Sequence, residues 1–515
     1  MKRFIYFLTT LLFLFIAVVP TLFTLFSSVI QLRGWGGIFS ITNLTLLGKS
    51  IAMSSVTAFL STLIGLLLAL ILERTFGERK NWIKLLLIAP FFFSPYILGV
   101  AWSDFFHMLG TGEKFIYSPW GVIFVWTMIF APLSMLVISS QLANIGPNME
   151  ESALLCAPYR SVIMKITIPL LRPAILSSFV LVFIMTISEF SVPAFLSVRV
   201  FSTEIFTQFS AFHNFSEAVA QGWIIISVAI TLLFLERSYL TDAPFISVKT
   251  DASTGARPII SRPISKIFHG IAYGSIFWMS AIPVLVLVFQ AFKGGLGTID
   301  QAIYVLAPTV INSLFYAAIG ALFLVLFGLI FAFMSEEDHL RWVNLVLLVT
   351  FSIPSMIFGM SLIYFFNRPF LTPIYSSAII IIFAYIGRFT FITGRLIANS
   401  LKQLPAPLKE AAIMVGAPPW TILFRIIIPH IAPGVFAAFL IAFILNLGEL
   451  GTTIMVYPPG TSLMPIKVYT IMANAPQSTT SAMTLVVLVV ILSSTGLLFL
   501  MRSILTRYSE ERCCG

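Results

Sequence analysis

Charged residues are scarce in this chain. Its 515 residues include 30 Lys and Arg and 20 Asp and Glu, which together make up 10% of the sequence. Hydrophobic residues account for 59%, and the mean hydropathy is +1.01. A soluble domain needs far more charge to keep its surface hydrated. The composition therefore excludes a soluble protein and indicates an integral membrane protein.

Cysteine and histidine are also rare, and no nucleotide-binding sequence is present. Cys156, Cys513 and Cys514 lack the spacing of a disulfide framework or a zinc site, and the five histidines are scattered. The string NLTLLGKS ends like a phosphate-binding loop, but Asn43 stands where the first glycine is required. We therefore expect no metal site and no cofactor, and we expect ATP to be hydrolysed on another subunit.

Twelve long apolar runs occur in the sequence. Each has a length close to the roughly 20 residues that a helix needs to cross a bilayer. The weak alternating pattern of a membrane β-barrel is missing, so we predict an all-α fold with twelve transmembrane helices. The predicted spans are residues 4–30, 50–72, 85–106, 119–142, 173–191, 219–235, 267–292, 309–334, 343–366, 374–396, 433–450 and 481–501.

Most of the 30 lysines and arginines fall on one side of the membrane if the N-terminus is cytoplasmic. Positively charged loops are retained in the cytoplasm, so we predict cytoplasmic termini. The same bias accounts for the net charge of +10, because the basic loops lie beside anionic lipid. We therefore expect no nucleic-acid partner.

One polar segment occurs twice in the chain. EESALLCAPYRSVIMKITIP begins at Glu150, and EAAIMVGAPPWTILFRIIIP begins at Glu410, 260 residues later. The same offset relates further pairs such as Pro173 with Pro433 and Glu189 with Glu449. We predict two six-helix halves, residues 1–236 and 267–515, joined by a cytoplasmic linker at 237–266. An even number of spans in each half predicts parallel repeats.

The repeated segment predicts a helix, a turn and a second helix at the cytoplasmic membrane face. Glu410 is expected to open the first helix, and Gly416 to end it in a left-handed conformation. The second helix is expected to stop near Pro429. Ala411 and Ala412 are small enough to allow a partner to approach closely. The first copy departs from this pattern with Glu151, Ser152 and Cys156.

These residues resemble the EAA loop of binding-protein-dependent ABC transporter permeases. The resemblance implies a type I importer permease in a bacterial inner membrane. Each loop would then dock on one of two cytoplasmic ABC ATPase subunits, and an extracytoplasmic binding protein would deliver the ligand. The implied coupling residues are Glu150, Glu151, Ser152, Cys156, Ala157 and Pro158 in the first half, and Glu410, Ala411, Ala412, Gly416, Ala417 and Pro418 in the second.

A fused chain of two six-span halves most resembles ferric-iron transport permeases, and thiamine permeases are built alike. The expected function is therefore a permease subunit for ferric iron, with thiamine or another small solute as the alternative. Twelve spans in two parallel halves also fit a secondary transporter driven by an ion gradient. A membrane-embedded enzyme ranks last, because few polar groups lie within the spans.

Glu189 and Glu449 occupy equivalent places near the outer ends of two spans. A carboxylate at that depth is costly unless it meets a partner or a wet pathway. One hypothesis is that both face the substrate pathway and act on a cation. The competing hypothesis gives them a structural role, as caps of a following re-entrant turn or as partners of the binding protein. Arg388, also within a span, is expected either to pair internally or to extend its charged end toward the membrane surface, rather than to line the path for an anion.

Overall fold

The computed structural model describes residues 2–31, 40–76, 80–110, 112–143, 145, 147–239, 262–336, 342–404 and 406–514. The regular elements of these residues are all helical, which confirms the predicted all-α fold. Helices suit a bilayer because each one satisfies its backbone hydrogen bonds within its own segment.

Eleven helices form the first half of the described chain. They are α1 (Lys2–Phe13, π-turn Leu14–Val18 and Val19–Gln31), α2 (Ile41–Thr75), α3 (Lys80–Phe92), α4 (Pro95–Met108), α5 (Glu113–Ile116), α6 (Pro119–Leu142), α7 (Pro147–Leu154), α8 (Tyr159–Val162, π-turn Ile163–Thr167 and Ile168–Ile187), α9 (Ser191–Phe195), α10 (Phe201–Ser210) and α11 (Phe215–Tyr239).

Eleven helices in the same order form the second half of the described chain. They are α12 (Arg262–Ile276, π-turn Phe277–Ala281 and Ile282–Lys293), α13 (Leu296–Ser335), α14 (Trp342–Ser352), α15 (Ser355–Phe366), α16 (Thr372–Tyr375), α17 (Ile379–Lys402), α18 (Ala406–Met414), α19 (Pro419–Ile422, π-turn Leu423–Ile427 and Ile428–Gly448), α20 (Thr453–Val456), α21 (Met464–Met472) and α22 (Gln477–Cys514).

Ten helices of the described residues are long and apolar enough to cross a membrane, and two bent pairs raise the number to twelve. The pair α3 and α4 is bent by 88°, and the pair α14 and α15 by 98°. The predicted number of spans is confirmed when each pair counts as one span. The continuous helices predicted at 85–106 and 343–366 are wrong.

A proline explains each sharp bend. Ser94 precedes Pro95, and the backbone of Ser94 is extended with φ −56° and ψ 140°. Pro354 has the same angles at the start of α15. Proline has no N–H to donate to the preceding turn. Pro95 also disfavours helical geometry at Ser94 before it, whereas at the second bend the extended residue is Pro354 itself. The breaks lie 260 residues apart, so the repeat includes this irregularity.

Prolines also explain the π-turns. Each of the four turns, Leu14–Val18, Ile163–Thr167, Phe277–Ala281 and Leu423–Ile427, ends two residues before a proline. A missing proline N–H interrupts the regular ladder, and one extra residue is accommodated as a π-bulge. The predicted helix end near Pro429 is therefore wrong, because α19 continues through this proline to Gly448.

The first helix of each half packs against the other half. Phe13 of α1 contacts Phe331 of α13, with ring centroids 5.2 Å apart. Trp278 of α12 contacts Trp102 of α4, with centroids 5.6 Å apart. Phe13 and Trp102 are almost fully buried. The two halves are thus interlocked through aromatic contacts in the core.

The ends of the predicted linker are helical. Helix α11 runs to Tyr239 and α12 begins at Arg262, whereas residues 240–261 lie outside the described residues. The division into halves at residues 237–266 stays a prediction.

Candidate functional site: paired loops and a central cavity

The first repeated loop is fastened to the body of the chain by Glu150. This side chain is 3% exposed, and its Oε2 lies 2.8 Å from Nε of Arg74 at the end of α2. Its Oε1 accepts hydrogen bonds from Nη2 of Arg74 at 3.1 Å and from Oγ1 of Thr167 at 2.9 Å. Charge-assisted contacts of this kind are among the stronger polar interactions in proteins. Glu150 therefore connects α7 to both α2 and α8.

The second loop ends its first helix with a glycine, as predicted. Gly416 has φ +72°, and the N–H of Ala417 donates to the carbonyl of Ala412 at 3.1 Å. This is the six-residue bond of a Schellman motif, which favours glycine in the left-handed position. In the first loop the N–H of Ala157 donates instead to the carbonyl of Ala153 at 3.0 Å. Cys156 thus fits a turn of different geometry.

Exposure differs among the predicted coupling residues. Those with exposed side chains or backbone are Ser152, Cys156, Pro158, Glu410, Ala411, Gly416 and Pro418, while Ala157 and Ala417 are partly exposed. The side chain of Glu151 lies outside the described set. Ala412 is 7% exposed and packs with Ile422 and Ile427 of its own chain. Of the two predicted contact alanines, Ala411 is the one that faces outward.

Glu410 does not open its helix. Helix α18 begins at Ala406, which places Glu410 at the fifth position instead of the first turn. Glu150 does lie in the first turn of α7, where a carboxylate interacts favourably with the helix dipole. The two glutamates are equivalent in sequence but have different surroundings.

A cavity of about 110 Å³ lies between the two halves, where both sharp bends meet. Ser94 and Ser355 at the bends line it, and so do Glu189, Glu449 and Arg388. The structure thus brings together Glu189, Glu449 and Arg388, the three charged residues for which the sequence suggested a role within the spans. The cavity has room for several water molecules, since each needs about 10–15 Å³ of such space.

Glu189 accepts hydrogen bonds at both carboxylate oxygens. Oε1 accepts from the N–H of Ser191 at 2.7 Å, and Oε2 accepts from the N–H of Val192 at 3.0 Å. Nε1 of Trp126 donates to Oε2 at 2.9 Å. These contacts cap the short helix α9, which is the geometry expected from the structural hypothesis.

Glu449 caps the next turn in a similar way but leaves more of its carboxylate for other contacts. Its Oε1 accepts from the N–H of Thr452 at 2.7 Å. It also interacts electrostatically with Arg388, whose Nη1 donates to the carbonyl of Ile353 at 2.7 Å. The Ile353 carbonyl lies at the bend between α14 and α15, so Arg388 pairs internally as predicted.

The halves also contact each other directly at the cavity. Oγ of Ser94 in the first half donates to the carbonyl of Gly448 in the second half at 2.7 Å. A Cβ atom on Gly451 would lie 2.4 Å from Oγ of Ser355, so only glycine fits this approach. The segment around Glu449 is therefore packed tightly between the two bent spans.

Four residues of these sites were not expected from the sequence: Arg74, Thr167, Trp126 and Ser94. The sequence did contain some indication of Arg74, because it is a basic residue at the predicted cytoplasmic end of a span. It also contained some indication of Ser94, because this residue precedes a proline inside an apolar run. The contacts of Thr167 and Trp126 join residues distant in sequence and needed the tertiary structure.

Comparison with known proteins gives consistent matches. The family described as binding-protein-dependent transport system inner membrane component matches residues 324–509. A putative ferric transport system permease of Haemophilus influenzae is 25% identical over 77% of this chain and 67% of its own length. A ferric transport system permease of Actinobacillus pleuropneumoniae is 25% identical over 81% of this chain and 64% of its own length.

A third relative covers less of the chain. A putative 2-aminoethylphosphonate transport system permease of Salmonella paratyphi A is 27% identical over 30% of this chain and 57% of its own length. The chain spans about two thirds of the length of the two ferric permeases. Residues 324–509 therefore resemble the binding-protein-dependent transport system inner membrane components, and the chain resembles ferric transport permeases over more than three quarters of its length.

Proposed function

We propose that this chain is the membrane-spanning subunit of an ATP-driven importer for ferric iron. The supporting observation is that two loops 260 residues apart each join a short helix to a span through a proline-associated π-turn. The two loops would dock on two cytoplasmic ATPase subunits. An extracytoplasmic binding protein would deliver the iron to the outer side of the bacterial inner membrane.

Transport would proceed by alternating access between the halves. Closure of the ATPase subunits would move both loops, and the spans joined to them would open the central cavity to one side at a time. Glu189 and Glu449 lie at this cavity and would influence a passing cation. Their capping contacts support a structural contribution as well, because each holds the turn that follows it.

A second candidate substrate class is a solute with an anionic group. Arg388 lines the cavity, and its Nε–H has no hydrogen-bond partner among the described residues. A guanidinium pairs well with phosphonate or carboxylate oxygens. The relative described as a 2-aminoethylphosphonate permease supports keeping this class as the alternative.

Reconstituted transport tests the proposal. The chain would be placed in liposomes with the ATPase and binding protein encoded beside it, and uptake of radiolabelled ferric iron would be measured. We expect uptake that requires ATP and the binding protein and persists after ionophores remove ion gradients. Uptake driven by a gradient without ATP would contradict the importer, and would instead identify a secondary transporter.

The substrate is tested separately by competition. Excess 2-aminoethylphosphonate or thiamine should leave iron uptake unchanged if iron is the cargo. Uptake of either labelled solute in place of iron would correct the substrate while retaining the ATP-driven mechanism.

A further inference from the structure

Among the described residues, the buried ion pair of Glu150 at the first loop has no equivalent at Glu410 in the second loop. The positions 260 residues after Arg74 and Thr167 are Met334 and Ile427. Both are buried, at 2% and 8% exposure, and neither side chain has an N–H or O–H to donate. The contacts that Arg74 and Thr167 make with Glu150 therefore cannot form around Glu410, whose side chain is exposed.

Both loops nevertheless present apolar side chains at the same place. Leu155 in the first loop is 88% exposed, and its counterpart Val415 is 82% exposed. Met414, beside Val415, is 87% exposed. Isolated exposed apolar residues are common, but a matching pair at the tips of two repeated loops fits an apolar recess on a partner. The loops share this exposed apolar position and differ in the burial of the equivalent Glu150 and Glu410.

The two loops also differ in how they are attached. Glu150 connects its loop to α2 through Arg74 and to α8 through Thr167. In the second half, buried Ala412 packs against Ile422 and Ile427 without such an ion pair. The second loop therefore uses apolar contacts to stay in place, and its glutamate remains available to a partner.

We propose that the two loops contact their ATPase subunits through different chemistry: Glu410 accepts a basic side chain of the ATPase, whereas Glu150 is a positioning residue used inside this chain. The first loop then docks through its apolar tip without using the Glu150 carboxylate. A cation beside an apolar recess is the partner chemistry that fits exposed Glu410, Met414 and Val415. This inference depends on the proposed function.

Three variants separate the two roles. Glu410→Gln removes the exposed carboxylate, and Glu150→Gln removes the buried one. Arg74→Met combined with Glu150→Gln removes both charges of the pair and reproduces the methionine of the second half. Glu336→Gln, an exposed carboxylate at the end of α13, is the matched control.

Two measurements are made on each variant of the full chain. One is the thermal stability of the purified permease alone in detergent, and the other is its affinity for the ATPase at low and high salt. For Glu410→Gln we expect unchanged stability, affinity about fivefold to tenfold weaker at low salt, and a smaller effect of salt. Glu336→Gln should match the unmodified chain.

The buried pair should behave in the opposite way. Glu150→Gln should lower the thermal stability of the permease alone, because Arg74 is left buried without its partner. The double variant should recover most of that stability and bind the ATPase as the unmodified chain does. Unchanged ATPase binding by the double variant would show that docking does not require the Glu150 carboxylate.

Two outcomes would overturn the inference. One is ATPase binding by Glu410→Gln that equals that of the unmodified chain. The other is lost ATPase binding in the double variant despite recovered stability. Failure of the unmodified chain to bind any ATPase would instead show that the proposed function is wrong, and the inference with it.

Discussion

Glu189 and Glu449 line the same cavity, yet their carboxylates are used to different extents. Glu189 accepts at both oxygens from two backbone N–H groups and an indole, whereas the contact of Glu449 with Thr452 involves one oxygen. A buried donor that loses its acceptor costs about 1–3 kcal/mol. The same substitution should therefore have unequal effects at the two positions.

Glu189→Gln should destabilise the permease by about 1–3 kcal/mol, because glutamine offers one acceptor oxygen where the carboxylate uses two. Glu449→Gln, the matched control, can keep its acceptor for Thr452, and Arg388 keeps its hydrogen bond to the Ile353 carbonyl, so this variant should cost less. Thermal unfolding of both variants in detergent measures the difference. Unchanged stability in Glu189→Gln would show that the capping contacts of Glu189 do not stabilise the fold.

The same pair of variants addresses transport. If the carboxylates act on a cationic substrate, uptake should fall in Glu449→Gln even where stability is retained. Unaltered uptake in both variants would remove the pathway hypothesis and leave the structural one.

At the scale of single elements, prolines determine where these helices depart from regular geometry. Pro95 and Pro354 accompany bends near 90°, whereas Pro169 and Pro429 are preceded by π-turns and the helices continue. The difference has a local cause: the residues next to the sharp bends adopt extended backbone angles, and those before Pro169 and Pro429 remain helical. The two π-turns before Pro169 and Pro429 each lie between a candidate docking loop and the span that follows it.

Pro429→Ala should convert the π-turn before it to a regular α-helix, because alanine restores the missing N–H. A π-turn accommodates one residue more than a regular α-turn. Its conversion to an α-turn would therefore rotate the preceding loop by about 100° relative to the span. We expect a folded permease with uptake several-fold lower per ATP hydrolysed. Uptake and ATPase activity measured together in liposomes test this.

Pro433→Ala is the matched control. Pro433 lies within the same helix, after the π-turn, so its replacement should leave the loop orientation unchanged. Equal coupling in both variants would show that the π-turn has no influence on transmission.

At the scale of the whole molecule, the two halves are repeated in sequence but interlocked in space. Helix α1 packs on the second half and α12 on the first, through aromatic contacts such as Phe13 with Phe331 and Trp102 with Trp278. Asp104 of α4 also accepts hydrogen bonds from Gln477 and Ser481 of α22. Each half therefore depends on the other to bury part of its own surface.

Two fragments made by dividing the chain within residues 240–261 should assemble when they are produced together. Each fragment should aggregate when produced alone, because the faces that contact the other half would be exposed apolar surface. Affinity purification through a tag on one fragment, followed by detection of the other, measures the assembly. A second half that is monodisperse by itself would contradict the interlocked arrangement.

The sequence by itself determined the class of fold, the number of spans and the position of both loops. These features follow from composition, from hydrophobic runs long enough for a bilayer and from a repeat visible at a fixed offset. It also identified Gly416 as a left-handed helix end, since that property is local. Features of this kind can be predicted from the sequence because they depend on residues that are close together in the chain.

Tertiary structure alone decided which charges meet. The sequence placed Glu189, Glu449 and Arg388 in separate spans, and only the fold brings them to one cavity. Glu150 and Glu410 have equivalent positions in the sequence repeat. Packing nevertheless buries Glu150 against Arg74 and leaves Glu410 exposed. The physical reason is that an ion pair depends on distances of a few ångströms between residues far apart in the chain, and no periodicity records those distances.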